Sequence, residues 1–173
     1  MRFRNALLTD TEYIRQISEK VFGKGYYPSR EIREDISNNI MVVCIKNNSI
    51  VGFKSARDVS SEQLSRKKPI TSIPLNGQVG YLKTIGVKTE YQNEGIGSKL
   101  VNTCMDTLNS SQYFVEAWRK PTESKAGLEY LLEKHGFKKD RTIKQYWADQ
   151  GSFECKGCQS RPCECTAAIY IKD

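Results

Sequence analysis

The segment YLKTIGVKTEYQNEGIGSKLV, residues 81–101, constrains this chain more than any other part of it. An apolar run of strand formers hands over, through two glycines one residue apart, to a row of good helix formers. Ile96, Leu100, Val101, Met105 and Leu108 then recur at spacings of three and four, which predicts a helix with one apolar face. Gly95 and Gly97 leave the backbone bare where that helix starts. The first amides of a helix lack intrahelical acceptors and its dipole favours negative charge, so a pyrophosphate fits there. Close packing of the helix on its strand explains the same two glycines. The Walker pattern is excluded because Ser98 separates Gly97 from Lys99. The dinucleotide fingerprint is incomplete because Leu100 stands where its third glycine belongs.

Elements of both kinds alternate around this segment. Residues 1–9 read as a strand closed by Thr9 and Asp10, and Ile14, Ile17 and Val21 form a helical stripe that ends near Gly23. The loop GKGYYPS leads to a short charged helix with Ile32 and Ile36 inward. MVVCI and IVGFKSARDV read as a hairpin turned at Asn47 and Asn48. Residues 60–77, polar and containing Pro69 and Pro74, are predicted as a long exposed loop. YFVEAW is a strand, SKAGLEYLLEKHG a helix ended by Gly136 with His135 as its cap, and FKKDRTIKQYW and TAAIYIKD are closing strands around a cysteine-rich insert. A chain of 173 residues buries enough surface to do this as one domain.

The run Gln92-Asn93-Glu94-Gly95-Ile96-Gly97, behind a strand that ends in Ile85-Gly86-Val87, resembles the acetyl-CoA motif of the GNAT N-acetyltransferases. LLEKHGF is similar to that family's passage from a helix into a strand, and the element order resembles the fold over essentially the whole chain. The resemblance implies one α/β (α+β) domain spanning residues 1–173, with a mixed, mostly antiparallel central sheet flanked by about four helices. It implies that Gln92, Asn93, Glu94, Gly95, Ile96, Gly97 and Ser98 hold the cofactor's pyrophosphate, chiefly through amides. Ile85, Gly86 and Val87 would pair with the pantetheine arm, and the Val87 N–H would polarise the thioester carbonyl. Core packing explains Ile85 and Val87 equally well. The implied activity is direct acetyl transfer from acetyl-CoA to a primary amine of a small molecule or a protein, by a monomer or homodimer.

A lysine amine with a pKa of about 10.4 is neutral in roughly one molecule in 2,500 at pH 7, so its proton needs an acceptor. Tyr81 stands where some family members have a glutamate base. Leu132 stands where many have a tyrosine acid, and Tyr130, two residues away, projects differently. Glu116, in YFVEAW, is the expected base if it faces the cleft, although strand carboxylates more often face solvent. Tyr81 is the second catalytic candidate, and Tyr146 is a further candidate for a proton relay. Tyr26 and Tyr27, among glycines, are candidates for the acceptor loop. Arg57, Arg119, Arg66, Lys67 and Lys68 are candidates for attracting an acidic acceptor.

Six cysteines without a signal-peptide core suggest a reducing, cytoplasmic setting, where clustered thiols bind metal more often than they crosslink. Cys44 and Cys104 lie in apolar surroundings as ordinary packing residues. The other four form CKGCQSRPCEC, within an insert at 153–166. Cys155, Cys158, Cys163 and Cys165 are expected to bind one structural zinc, with no coordination position left open; a thiol relay or a disulfide pair would use the same residues. No segment is long and apolar enough to span a bilayer. The 27 Lys and Arg against 20 Asp and Glu give +7, which favours an anionic partner. Two other readings compete: a non-catalytic acetyl-CoA sensor, and a zinc-containing adaptor for nucleic acid or protein. The adaptor leaves QNEGIG without a use.

Overall fold

Asn47 and Asn48 turn the chain at φ of 51° and 57°. A two-residue hairpin needs the left-handed region at both positions, and asparagine tolerates it better than most residues. The turn joins β2 (Ile40–Lys46) to β3 (Ser49–Ser60) with Val43 opposite Phe53. The computed structural model of the chain describes residues 1–67, 71–149 and 153–173. Its other strands are β1 (Arg2–Asn5), β4 (Gln78–Val87), β5 (Gln112–Arg119), β6 (Lys138–Ile143) and β7 (Thr166–Lys172). They stand in the order β1-β2-β3-β4-β5-β7-β6. β4 and β5 run parallel, whereas β1–β2, β2–β3, β5–β7 and β6–β7 are antiparallel. The helices are α1 (Thr11–Val21), α2 (Ser29–Asn38), α3 (Ser61–Lys67), α4 (Ile96–Met105) and α5 (Gly127–Lys134). The mixed, mostly antiparallel sheet is as expected. The described residues hold five α-helices rather than about four.

Contacts divide the chain into two compact units. The first comprises Met1–Arg57, Lys83–Leu108 and Ser152–Lys156. In it Ile14 and Ile17 of α1, Ile32 of α2 and Tyr27 pack with Met41, Val43, Ile50 and Phe53 of the hairpin. Side chains alternate across a strand, so Val42 and Cys44 turn the other way and are buried too. That doubly buried run is why MVVCI is almost uniformly apolar. Asp35 of α2, itself buried, accepts hydrogen bonds from Ser55 Oγ (3.0 Å), Asn39 Nδ2 (2.7 Å), Lys83 Nζ (2.8 Å) and the Tyr27 hydroxyl. Burial opposes its charge, but the bonds from Lys83 and Tyr27 prevail and hold its carboxyl below the ordinary range. The first strand is shorter than the sequence suggests. The chain leaves it at Asn5 for a 3-10 turn at Leu8–Asp10, where Asp10 pairs with Arg4 and accepts the Leu7 amide at 2.7 Å.

The second unit comprises Asp58–Leu82, Asn109–Gly151 and Gly157–Asp173. β7 lies between β5 and β6, with Glu116 opposite Ile169 and Lys138 opposite Ile171. α5 closes on His135 and then Gly136 at φ 80°, and the Phe137 amide returns to Leu132 O at 3.0 Å. The predicted loop over 60–77 is partly helical. Ser60 Oγ accepts the Gln63 amide while Gln63 Oε1 accepts the Ser60 amide, both at 3.1 Å, and this reciprocal cap starts α3. After it, Ser72 N–H donates to Asp140 at 2.9 Å and Asn76 N–H to Gln112 at 2.9 Å. Pro69, one reason for expecting a loop there, lies outside the described residues, as do Lys68 and the side chains of Arg66 and Lys67.

One buried group of the first unit is mismatched. Lys54 of β3 is 2% exposed, and its Nζ donates to Ser55 O at 3.3 Å. Burial pushes its ammonium down to about 8. Nearby Cys104 of α4 supplies no firm counter-charge, because burial pushes its thiol up to about 11. Unfolded lysine keeps its proton to about 10.4, so between pH 8 and pH 10 the unfolded chain binds more protons and stability rises with pH. Lys54→Met is expected to raise stability at pH 7 by about 1–4 kcal/mol and to flatten that alkaline rise. Urea titrations at pH 7 and pH 9.5 check both effects.

Candidate functional site

The end of β4 alternates: Thr84 and Gly86 are buried, Ile85 and Val87 half-buried. The Lys88 amide donates to Val51 O at 2.9 Å, which keeps the chain on the sheet as the strand ends. A 3-10 turn at Thr89–Tyr91 follows, and Gln92 Nε2 reaches back to Val87 O at 3.1 Å. Asn93 is left-handed at φ 64° and Gly95 at φ 79°. Gly95 caps α4, its carbonyl receiving the Lys99 amide at 3.1 Å. Ile96, 1% exposed, anchors the first turn, whereas Gln92, Asn93, Glu94 and Gly95 are exposed and Gly97 and Ser98 half-buried. Glu94 is paired with Lys46.

The two alternatives for the glycines can be weighed at Gly95. A Cβ built there meets no atom within 4 Å, so packing against the protein does not explain this glycine. Its backbone angle forbids a side chain cheaply, and the space beside it is open to a ligand. Gly86 is the opposite case. A Cβ there would lie 2.7 Å from the Phe53 ring, so Gly86 is small because the core requires it.

The second unit gathers three residues that the sequence suggested one at a time. Glu116 is half-buried and accepts the Tyr81 hydroxyl at 2.7 Å on one oxygen and the Tyr146 hydroxyl on the other. Tyr81 is brought near by the β4–β5 register, which sets it opposite Phe114, two residues from Glu116 on the same strand. Tyr146, 6% exposed, arrives from the turn after β6, where its amide donates to Cys165 O at 3.2 Å. Burial and the Glu116 charge push the Tyr146 hydroxyl well above the ordinary phenol range, so it remains a donor. Leu132 is fully buried, and Tyr130 is 61% exposed beneath the Lys125 ammonium. The sequence-based expectation that the two project differently holds.

Other candidates take structural places. Tyr27 is 2% exposed and bonded to Asp35, so it packs the core rather than lining a loop surface. Tyr26 is half-buried and stacks on Phe22, with ring centroids 4.5 Å apart. Arg57 is a half-buried residue of β3. Arg119 forms a fork with Glu129, Nε to Oε1 at 2.7 Å and a terminal nitrogen to Oε2 at 2.6 Å. Glu129 has 0% side-chain exposure and also accepts the Ala126 amide and the Tyr170 hydroxyl. No local pattern signals this pairing, because ten positions separate the partners.

The cysteine segment holds four sulfurs, from Cys155, Cys158, Cys163 and Cys165, that all lie within 4.8 Å of one another. Three of these residues are buried and Cys158 is half-buried. Cys158 and Cys163 sulfurs are 3.7 Å apart, and the Glu164 amide donates to Cys158 Sγ at 3.4 Å. Four Zn–S bonds of about 2.3 Å in a tetrahedron set sulfurs about 3.8 Å apart, so the donor set and its spacing fit a metal ion.

A mixed sheet with a parallel β4–β5 pair, continued by a glycine turn into α4, defines a mixed α/β class of protein with an exposed turn where strand hands over to helix. The model described as "Acetyltransferase (GNAT) family" matches residues 9–137, and the chain belongs to that family. It is an N-acetyltransferase. The match stops before the cysteine segment. An "N-alpha-acetyltransferase" of Saccharolobus solfataricus is 28% identical over 148 residues, covering 84% of this chain and 85% of that protein. Among solved structures, Arabidopsis thaliana NAA60 in complex with acetyl-CoA has a TM-score of 0.70 at 16% identity, covering 99% of this chain and 97% of that one. Chaetomium thermophilum Naa20 in complex with a bisubstrate analogue has a TM-score of 0.72 at 16% identity, covering 98% and 85%. No helix among the described residues is long and apolar enough to cross a membrane.

Arg119→Ala would strand the Glu129 carboxylate in the interior and is expected to cost about 3–5 kcal/mol. Arg119→Lys, which keeps the charge but not the fork, should recover part of that loss. Thermal or urea unfolding of the two variants checks the ranking.

Proposed function

We propose that the enzyme binds acetyl-CoA at the start of α4 and acetylates the α-amine of a polypeptide N-terminus. The open space beside Gly95 carries the first half of this reading. There the backbone from Asn93 to Ser98 would hold the pyrophosphate, and Ile85, Gly86 and Val87 would pair with the pantetheine arm. The name of the Saccharolobus relative, an "N-alpha-acetyltransferase", supports the second half. So does the proton balance. An α-amine with a pKa of about 7.7–8.0 is neutral in roughly one molecule in ten at pH 7, against roughly one in 2,500 for lysine, so it asks less of a base. A cytoplasmic location is part of this reading, because clustered thiols more often bind metal in a reducing compartment.

Bound acetyl-CoA supplies an activated thioester carbonyl. The chain's own residues orient the reaction and move one proton. The Val87 N–H would donate to the carbonyl oxygen as the amine nitrogen attacks and the carbon–sulfur bond breaks. The amine's surplus proton would pass to the Tyr81 hydroxyl, directly or through water, as Tyr81 gives its own to Glu116, and a proton would then return from this pair to the departing CoA thiolate, which leaves as the thiol. Tyr146 would hold the second Glu116 oxygen. Orientation of two bound reactants can supply an effective molarity of about 100,000 M or more, so the base is an addition to catalysis rather than its foundation.

Gly95→Glu places a side chain and a negative charge where the pyrophosphate would lie, and acetyl-CoA affinity is expected to fall by about 100-fold or more, ~2.7 kcal/mol. Calorimetry on the folded variant checks this; retained affinity removes the site. Glu116→Gln should lower kcat by about 100- to 10,000-fold and leave acetyl-CoA affinity within about twofold. An unchanged kcat excludes Glu116 as base. A peptide acceptor panel set beside polyamines and free lysine, read by mass, tests the acceptor class. Tight acetyl-CoA binding without turnover on any of them would favour the sensor.

A further inference from the structure

We propose that Cys155, Cys158, Cys163 and Cys165 hold one zinc ion and that this ion fixes the α1–α2 loop, residues 22–28, for the acceptor. The consequence for the acceptor rests on the acetyltransfer reading above; the metal and its hold on the loop do not. The family match covers residues 9–137 and does not include these cysteines.

The link between the cysteines and the loop is backbone to backbone. The Glu154 amide donates to Lys24 O at 2.9 Å and the Lys156 amide to Phe22 O at 2.8 Å. Lys156 Nζ also donates to Lys20 O at 2.7 Å, at the end of α1. Phe153 meets the Tyr26 ring edge-on, centroids 5.3 Å apart, and Tyr26 stacks on Phe22. Gly23 makes the approach possible. It sits at φ 124°, and a Cβ there would fall 1.7 Å from Glu154 O. Cys155 lies between the two donating amides, so a bond from its sulfur to an ion would restrain both.

Magnitudes decide whether the loop needs that restraint. Residues 153–156 belong to no helix or strand. Two backbone hydrogen bonds contribute about 0.5–1.5 kcal/mol each, while ordering one residue costs about 1–2 kcal/mol, so the bonds do not hold this run by themselves. A structural zinc contributes about 10–16 kcal/mol of apparent binding energy at pH 7, enough to fold the segment and keep the loop against it. Four thiolates fill the tetrahedron and leave no position for substrate, so the ion holds structure and does no chemistry. The Glu164 amide on Cys158 Sγ is a donor suited to thiolate charge.

The test uses the full chain. Elemental analysis of the purified protein is expected to give one zinc per chain, and cobalt substitution to give the charge-transfer and d–d bands of a tetrahedral thiolate site. No metal, or iron in place of zinc, overturns the site. Cys163→Ser, and wild-type protein stripped by a chelator, should both lose the ion. Hydrogen exchange in residues 20–28 should then quicken about tenfold, with α4 exchange unchanged as a control for global folding. Restoring zinc to the stripped protein should restore protection. In the same samples the acceptor KM should rise at least about fivefold while acetyl-CoA affinity stays within about twofold. Metal loss without faster loop exchange, or with a flat acceptor KM, overturns the positioning role. Metal content and exchange are read without substrate, so failure here is distinct from a failure to bind acetyl-CoA.

Discussion

Between Val87 and Ile96 the chain must turn at the surface while the strand before and the helix after are drawn into the interior. The left-handed angles at Asn93 and Gly95 turn the chain sharply enough to do this, and Asn93 carries a strain of order 1 kcal/mol for it. Burial of Ile96, Leu100, Val101 and Cys104 outweighs that strain, since each large apolar side chain contributes about 1.5–3 kcal/mol. The bonds from Lys88 N–H to Val51 and from Gln92 to Val87 then hold the turn to the sheet without drawing on the helix's own first amides. Well-buried neighbours thus fix an exposed turn.

Buried charge is handled differently in different places. Glu129 and Asp35 are each surrounded by donors, and Arg119 and Lys83 hold their carboxyls below the ordinary range although burial works the other way. Their stabilisation is complete above the unfolded carboxyl pKa of about 4 and is lost as pH falls through the depressed folded values. Asp35 ties α2 to β3 and to Lys83, and Glu129 ties α5 to the end of β5. Among the described residues Lys54 has no such partner, and it is the weak point of the first unit's interior.

Local pattern made much of this legible in the sequence. The helical stripe from Ile96, the Asn47–Asn48 turn and the run QNEGIG each announce themselves within a few residues. α3 was hidden because two prolines and a polar composition outweigh a capping pair, Ser60 and Gln63, three positions apart. Pairings across strands were not legible at all. Glu116, Tyr81 and Tyr146 each stood out by chemistry, but only the β4–β5 register and the turn after β6 bring their oxygens together. Tyr27 misled for the same reason, because its partner Asp35 lies on the next helix. The cysteines showed their likeness to a metal knuckle through spacing, yet the contacts of residues 153–156 with the α1–α2 loop span more than a hundred residues of sequence.

Tyr146 invites a role as the acid that protonates the departing thiolate, since Leu132 stands where the family often has a tyrosine for that task. The energetics oppose it. Burial and Glu116 push the Tyr146 hydroxyl above the ordinary phenol value of about 10, while a thiol has a pKa near 8.5. Transfer from Tyr146 to the thiolate is therefore uphill by more than one pKa unit, each unit costing about 1.4 kcal/mol. On the proposed route the proton that the amine gives up through Tyr81 to Glu116 can pass on to the departing sulfur, directly or through water, with no second tyrosine as acid. Tyr146 is then best understood as a positioning residue: its fixed O–H holds one oxygen of Glu116 and leaves the other turned to Tyr81. The proposed route, with a well-held base and no dedicated acid, agrees with Leu132 standing where the family often has a tyrosine.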